Sequence, residues 1–364
     1  MEGQAKRKGI TKRALIIGSI VLAAIIVLPL VTIFVMRGVN AIRFNISGGV
    51  QERIFVSLGG IEQALHIRGE STSNPVIIWL HGGPGWSDAY ELAPWQYMME
   101  NDFTFVRWDQ RGSGRTYRRN PDAPLTLDIL IQDLYELVNY VTGRFGQPVY
   151  IVGDSWGSVL GITYASRHPE SIVGFVGVAQ NIDQQESLRI ALEAAYGLAR
   201  ETGNYQDAEE MRAVYERARN RGFADDDFDL ADFILYQGLP SNYLAVRGES
   251  QGFGIFFSPW FGFNELRELI GIWRNDHLFF DRNRPLFYAL ENFVPPEYLE
   301  VPVAFIIGGE DFITNTDLVI DYYNRIEAPS KNIFIIDGSG HSPYRSQPAL
   351  FAELLREALA GFGH

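Results

Sequence analysis

A serine between glycines, in the segment Gly153-Asp154-Ser155-Trp156-Gly157, is the residue of this chain best placed to act as a nucleophile. The segment fits G-x-S-x-G, follows an apolar run at 149–152 and precedes a helical pattern at 158–167. A serine on a tight turn between a buried strand and a helix exposes its hydroxyl at the carboxyl end of a sheet. We therefore predict that Ser155 is a nucleophile, and that the Trp156 N–H at the helix start binds a developing oxyanion.

A nucleophilic serine needs a base, and His341 is the histidine that we expect to supply it. It follows the last predicted strand, at 332–336, in a glycine-containing loop at 337–342. In a chain order of serine, acid and histidine, the histidine comes last and from such a loop. The other histidines are predicted to be surface or packing residues: His66, His81, His168, His277 and His364.

The acid that orients this histidine is expected in the segment Gly308–Thr314, which follows the strand predicted at 301–307. Two glycines and an acidic pair predict a tight turn that aims one carboxylate at the base. Asp311 is preferred to Glu310, and Asp337 is a further alternative. The acid would fix the imidazole tautomer and stabilise the imidazolium.

A second glycine-rich loop, His81-Gly82-Gly83-Pro84-Gly85, follows the apolar run at 76–80. With so little side chain, such a loop can bring backbone N–H groups close to a substrate oxygen. We predict that the Gly83 N–H is the second oxyanion donor. His81, at a strand end, is predicted to hold the loop and not to act as a base.

The elements around these loops predict an α/β fold, a mostly parallel sheet with helices on both faces. Short apolar runs alternate with helical patterns over 50–181 and again over 301–364, after an N-terminal hairpin. The alternation stops at 182–300, where helical patterns and aromatic clusters predict a cap inserted into the core. The cap aromatics would line an apolar pocket.

The N-terminus predicts a transmembrane anchor at 14–36, after a basic segment at 1–13 and before a linker at 37–49. The 22 residues from Ala14 to Val35 carry no charge. As a helix they would span about 33 Å, close to the thickness of a hydrocarbon core. The basic residues before this run place the N-terminus in the cytoplasm and the rest outside, with the lipid bilayer as a partner. A cleaved signal peptide is the alternative.

The composition excludes several classes of site and partner. Cysteine is absent, so disulfides and thiolate sites are excluded. Residues 1–43 carry a net charge of +6 and the remainder −19, within a total of −13. A body this acidic is repelled by phosphate backbones, so we expect no nucleic-acid binding. The motifs imply no metal and no organic cofactor.

At the level of motifs the chain resembles the prolyl iminopeptidase branch (peptidase family S33) of the α/β-hydrolases. The likeness rests on the loop at 81–85, the segment Trp108–Arg115 (WDQRGSGR) and the serine turn at 153–157. It covers about 50–181 and 301–360. The resemblance implies an α/β-hydrolase fold with a helical cap, and it supports Asp311 and His341.

In that family, cap glutamates hold the free amino group of the substrate. The family's Trp-Glu cap motif is not visible, and the segment Ser258–Glu265 is the nearest to it. Glu265 and Glu268, beside the aromatic cluster, are the candidates for substrate binding.

The predicted function is a serine hydrolase that works through an acyl-enzyme. The resemblance implies an aminopeptidase that releases N-terminal proline or another small apolar residue from short peptides. A carboxylesterase or amidase acting on small acyl substrates is the alternative, and a catalytically inactive membrane-anchored binding protein is a third hypothesis. The oligomeric state stays open.

Overall fold

The computed structural model describes residues 2–91, 93–221, 238, 240–246, 252–273 and 277–363. They form two compact units. The smaller comprises Met1–Asn45, Tyr90–Leu92 and Gly252–Gly262. The larger comprises Ile46–Ala89, Ala93–Gln251 and Phe263–His364.

The smaller unit is built on a long helix, α1 (Glu2–Arg43), and a short 3₁₀ helix at Gly252–Phe257. Arg37 Nε donates to the Phe256 carbonyl at 2.8 Å, and Asn40 Nδ2 donates to the Phe257 carbonyl at 3.0 Å. With these contacts α1 continues to Arg43, into the segment 37–49 that the sequence predicts to be a linker.

Three of the cap aromatic residues, which were predicted to line an apolar pocket, have apolar neighbours inside this smaller unit. Phe256 and Phe257 line a crevice with residues of α1, namely Leu28, Pro29, Thr32 and Ile33. Phe261 packs edge-on against Tyr90, with ring centroids 5.4 Å apart.

Within the described residues, no helix combines the length and the apolar character that crossing a membrane requires. The predicted transmembrane anchor at 14–36, and with it the bilayer as a partner, is therefore not supported by the structure. The predicted extracytoplasmic location stays a prediction.

An eight-stranded sheet forms the centre of the larger unit, in the order β1-β2-β4-β3-β5-β6-β7-β8. The strands are β1 (Val50–Leu58), β2 (Ile61–Gly69), β3 (Val76–Leu80), β4 (Thr104–Trp108), β5 (Val149–Asp154), β6 (Gly174–Val178), β7 (Val303–Gly308) and β8 (Lys331–Ile336). β1 and β2 form the predicted hairpin around Gly59 and Gly60, which both have positive φ. β2 pairs antiparallel with β4, and every later pair is parallel.

Helices connect and cover these strands, in agreement with the predicted α/β class. Those of the core are α2 (Pro94–Tyr97), α3 (Gly114–Arg119), α4 (Leu127–Phe145), α5 (Trp156–Arg167), α10 (Thr316–Arg325), α11 (Pro343–Ser346) and α12 (Pro348–Ala360). Between β6 and β7 lie α6 (Gln184–Glu201), α7 (Tyr205–Arg221), α8 (Phe263–Trp273) and α9 (His277–Glu291).

The core consists of two apolar layers, one on each face of the sheet, because successive side chains of a strand point to opposite faces. On β3, Ile78 belongs to the layer that includes Leu137 of α4. Its neighbour Trp79 belongs to the other layer, with Leu355 of α12. Burial on both faces explains why the strands read as continuous apolar runs. The parallel pairing of these strands also brings the carboxyl ends of β5, β7 and β8 to one edge of the sheet.

Candidate active site

Ser155 lies on a sharp turn between β5 and α5. Its φ is 52° and its ψ is −115°, a conformation that L-residues rarely adopt. Its N–H donates to the Val178 carbonyl at 2.9 Å. A strained residue of this kind, held by its surroundings, is typical of functional sites.

Glycines on both sides make this turn sterically feasible. A Cβ on Gly153 would lie 2.3 Å from the Gly157 carbonyl oxygen, and a Cβ on Gly157 would lie 2.1 Å from the Leu80 carbonyl oxygen. Both distances are shorter than any van der Waals contact. Only glycine therefore allows the strand, the turn and the helix to approach this closely.

The structure brings Ser155, His341 and Asp311 together in one chain of hydrogen bonds. His341 Nε2 lies 3.0 Å from Ser155 Oγ. On the other side of the ring, Nδ1 lies 3.0 Å from Asp311 Oδ2 and 3.2 Å from Oδ1. The three residues follow β5, β8 and β7, so the parallel sheet itself places them at one edge. The arrangement can remove the proton from a serine hydroxyl and stabilise the resulting imidazolium.

The side chain of Asp311 is fully buried and accepts several hydrogen bonds from its own turn. The N–H groups of Ile313 and Thr314 donate to Oδ1 at 2.8 and 3.0 Å, and the Thr314 hydroxyl donates to Oδ2 at 2.6 Å. Burial alone would raise the pKa of Asp311, but the charge of His341 and these hydrogen bonds outweigh it and hold the pKa below its ordinary value. Asp311 is therefore a carboxylate at neutral pH.

The two alternative acids lie outside this chain of contacts. Glu310 and Asp337 are both exposed at the surface. The other histidines that the structure describes contact other parts of the chain. His66 is buried and contacts the Ala89 carbonyl through Nδ1, and burial lowers the pKa of its imidazole. The ring of His168 packs against Tyr164 with centroids 5.0 Å apart. The side chains of His277 and His364 lie outside the described residues.

The predicted oxyanion loop packs directly against the serine turn. A Cβ on Gly82 would lie 3.4 Å from Ser155 Cβ. Gly83 has a φ of 133°, which only glycine adopts without strain. Trp156 is the first residue of α5, where N–H groups have no acceptor within the helix. The two predicted donors thus belong to segments that adjoin the serine.

His81 holds this loop, as its place at a strand end indicates. Its Nδ1 lies 2.7 Å from the Gly82 carbonyl, and its Nε2 accepts from the Gln110 N–H at 3.3 Å. The Gln110 side chain donates to the His81 carbonyl at 3.1 Å and accepts from Trp156 Nε1 at 3.0 Å. Gln110 therefore ties the oxyanion loop to the start of α5. This role is invisible in the sequence, although Gln110 lies inside the segment Trp108–Arg115.

Two cap helices contact the loops around the site. Asn283 of α9 is buried, and a Cβ on Gly85 would lie 2.3 Å from its Nδ2. From α8, Glu265 accepts a hydrogen bond from Arg118 Nη2 at 2.7 Å. This candidate for substrate binding is thus ion-paired with the core helix α3. Glu268 belongs to the same helix, and its side chain lies outside the described residues.

In the described parts of the chain, no three His, Asp or Glu residues lie close enough together to hold a metal ion.

Comparisons with known proteins agree with this fold. Residues 77–354 match the alpha/beta hydrolase family, so the chain belongs to that family and is a hydrolase by class. A relative named "Probable aminopeptidase YbaC", from Bacillus subtilis (strain 168), is 28% identical over 309 residues, which is 82% of this chain and 93% of the relative. A proline iminopeptidase of Lactobacillus helveticus is 26% identical over 167 residues, 42% of this chain and 55% of that protein. The resemblance to this branch is confirmed.

Solved structures give the same fold at lower identity. VinJ superimposes with a TM-score of 0.63 at 18% identity, covering 85% of this chain and 99% of that one. A proline iminopeptidase of Mycobacterium smegmatis gives 0.57 at 19% identity, covering 85% and 98%. The predicted α/β-hydrolase fold is therefore confirmed.

Proposed function

We propose that this chain is a serine hydrolase that works through an acyl-enzyme. The observation that carries the proposal is the continuous contact from Ser155 Oγ through His341 to Asp311, at 3.0 Å on each side of the imidazole. The three residues are separated by 156 and 30 positions in the sequence. They meet at one edge of the sheet, and the serine among them has a strained backbone conformation. The fold does not require such a contact for its stability.

In the proposed mechanism each group has one part in the reaction. Ser155 Oγ attacks the substrate carbonyl while His341 Nε2 takes its proton. Asp311 keeps the Nδ1 proton in place and stabilises the imidazolium. N–H groups of Gly83 and Trp156 bind the oxyanion of the tetrahedral intermediate. His341 then protonates the leaving group, and water, activated by the same imidazole, releases the acid and restores the serine.

The substrate class proposed is a short peptide with a free amino terminus, from which proline or another small apolar residue is released. The relatives named as aminopeptidase and proline iminopeptidase support it. A protonated amino group would bind to a cap carboxylate through a charge-assisted hydrogen bond. Of the two candidate glutamates, Glu265 is the one whose side chain the structure describes, and it is buried on α8.

One observation favours the esterase or amidase alternative. The Glu265 carboxylate is already paired with Arg118 at 2.7 Å. An incoming ammonium group would have to share this carboxylate with a guanidinium. An ester substrate needs no such partner.

The proposal is tested with a fluorophosphonate probe and two substrate panels. The probe should label the full chain at Ser155, and Ser155→Ala should lose both the label and at least about 10³-fold in kcat without unfolding. Ser171→Ala, a serine in the turn after α5, is the matched control. Aminoacyl-arylamides and p-nitrophenyl esters assayed side by side then separate the substrate classes. A correctly folded chain with no label and no turnover would favour the inactive binding protein.

A further inference from the structure

The residue before the nucleophile, Asp154, is a buried acid that the mechanism above does not use. It is the last residue of β5 and is 6% exposed. Its Oδ2 accepts a hydrogen bond from the Tyr344 hydroxyl at 3.0 Å. Tyr344 belongs to α11, three residues after His341. The hydrogen bond between Tyr344 and Asp154 therefore links the segment that carries the base to the segment that carries the nucleophile.

The same carboxyl also adjoins the oxyanion loop. A Cβ on Gly82 would lie 3.3 Å from Asp154 Oδ2. Three segments of the site, those of Ser155, Gly82 and His341, thus meet at Asp154. Tyr344 itself is fixed in an aromatic cluster, with its ring 5.6 Å from that of Trp79.

Several charged groups act on this carboxyl from the surrounding segments. Burial raises the pKa of Asp154 to about 7. The charges of His341 and Arg345 and the Tyr344 hydroxyl oppose this rise, and the charge of Asp88 adds to it. Asp154 therefore gains its negative charge in the pH range where a serine hydrolase works, within the field of the catalytic imidazole.

Asp88, the other acid in this group, belongs to the segment that follows the oxyanion loop. Its Oδ2 accepts from Trp79 Nε1 at 2.7 Å, and its Oδ1 lies 3.4 Å from Arg107 Nη1. It is therefore committed to neighbours of its own, and Asp154 is the acid that contacts the base segment.

We propose that Asp154 is a positioning residue of the active site: through Tyr344 it holds the base segment against the nucleophile turn, and its carboxylate gives the His341 imidazolium a second negative neighbour besides Asp311. The inference rests on the proposed serine-hydrolase function. A second carboxylate near the imidazole makes His341 a stronger base and stabilises the cation that forms when it takes the serine proton.

Two substitutions separate the charge from the hydrogen bond. Asp154→Asn keeps an oxygen that can accept from Tyr344 and removes the charge. Tyr344→Phe keeps the charge and removes the hydrogen bond, which shifts Asp154 ionisation to higher pH. Tyr322→Phe is the matched control. Tyr322 lies on α10, and its hydroxyl donates to the Pro296 carbonyl at 2.6 Å and not to Asp154.

The measurement is the rate of fluorophosphonate labelling of the full chain between pH 5 and pH 9, with the labelled residue identified. In Asp154→Asn we expect the midpoint to move to lower pH by up to about one unit, because an imidazolium without this carboxylate loses its proton more easily. We expect the plateau rate to fall about 3- to 30-fold, because the base is weaker. In Tyr344→Phe the loss should be largest near neutral pH and smaller at pH 9. Tyr322→Phe should follow the wild type.

Wild-type rates and midpoints in both Asp154→Asn and Tyr344→Phe would overturn the inference, as would a change in melting temperature alone. If Asp154→Asn does not fold, Tyr344→Phe decides, and an unchanged profile in that variant counts against the inference. Absence of labelling in the wild type would instead refute the proposed function.

Discussion

Thr314 Oγ1 lies 2.6 Å from Asp311 Oδ2, the oxygen that is 3.0 Å from His341 Nδ1. The acid is thus held by a hydroxyl three residues further along its own turn. Because the hydroxyl donates a hydrogen bond, it stabilises the carboxylate and limits its rotation.

Replacing this hydroxyl should weaken catalysis without abolishing it. A hydrogen bond to a charged group contributes about 1.5–3 kcal/mol, so Thr314→Val should lower kcat/KM by roughly 10- to 100-fold. Thr163→Val, which removes a hydroxyl bonded to the Val159 carbonyl on α5, should have little effect. Steady-state kinetics on the best substrate measure both. An unchanged kcat/KM in Thr314→Val would show that the backbone N–H groups alone orient Asp311.

The adjacent acidic residues give a matched test of the acid. Asp311→Asn should lower kcat by about 10³- to 10⁴-fold, because an amide no longer fixes the imidazole tautomer or stabilises the imidazolium. Glu310→Gln, at an exposed position next to it, should retain nearly full activity. A larger loss in Glu310→Gln than in Asp311→Asn would contradict the assignment.

The ion pair between Arg118 and Glu265 gives a test of substrate selection. If Glu265 binds the amino group, Glu265→Gln should erase the preference for free over blocked substrates and leave simple ester hydrolysis nearly intact. Arg118→Gln removes the competing guanidinium and should keep or increase that preference. Glu268→Gln is tested in parallel. Equal behaviour of the Glu265 and Arg118 variants would mean that the pair only joins the cap to the core.

Asp154 should also affect stability in a pH-dependent way. Its pKa in the folded protein is about 7, above the ordinary carboxyl value. The folded state therefore holds a proton that the unfolded state has lost, and stability falls as pH rises from about 4 to 7. Above about pH 7 the folded protein bears the full free-energy cost of a buried, ionised carboxylate. Asp154→Asn should raise the melting temperature at pH 8 and change it much less at pH 4. Equal shifts at both pH values would show that Asp154 does not titrate in this range.

Apolar patterning was sufficient to predict the strands, because a parallel sheet covered on both faces requires continuous apolar runs such as Val76–Leu80. The three catalytic candidates could be named because each follows such a strand. Their contact could not be deduced from spacing alone.

Contacts between side chains of distant segments could not be predicted from the sequence. Asp154 and Tyr344 are 190 residues apart, and Arg118 and Glu265 are 147 apart. Such pairs depend on the positions of whole helices and strands. Many other polar residues of the chain could form a hydrogen bond or an ion pair with either partner. The C-terminal extension of α1 was missed for the same reason, since it is stabilised by carbonyl groups more than 200 residues away.

The glycines around the nucleophile also bear on how this enzyme could be redesigned. Where Gly157 meets the Leu80 carbonyl, and where a Cβ on Gly308 would lie 2.0 Å from the Gly340 carbonyl oxygen, main chain touches main chain. Distances set in this way depend on covalent geometry and not on the choice of rotamers. A mutational scan should therefore find its least tolerant positions at glycines that bind no substrate. Libraries aimed at new substrates would gain most from varying side chains of the cap helices.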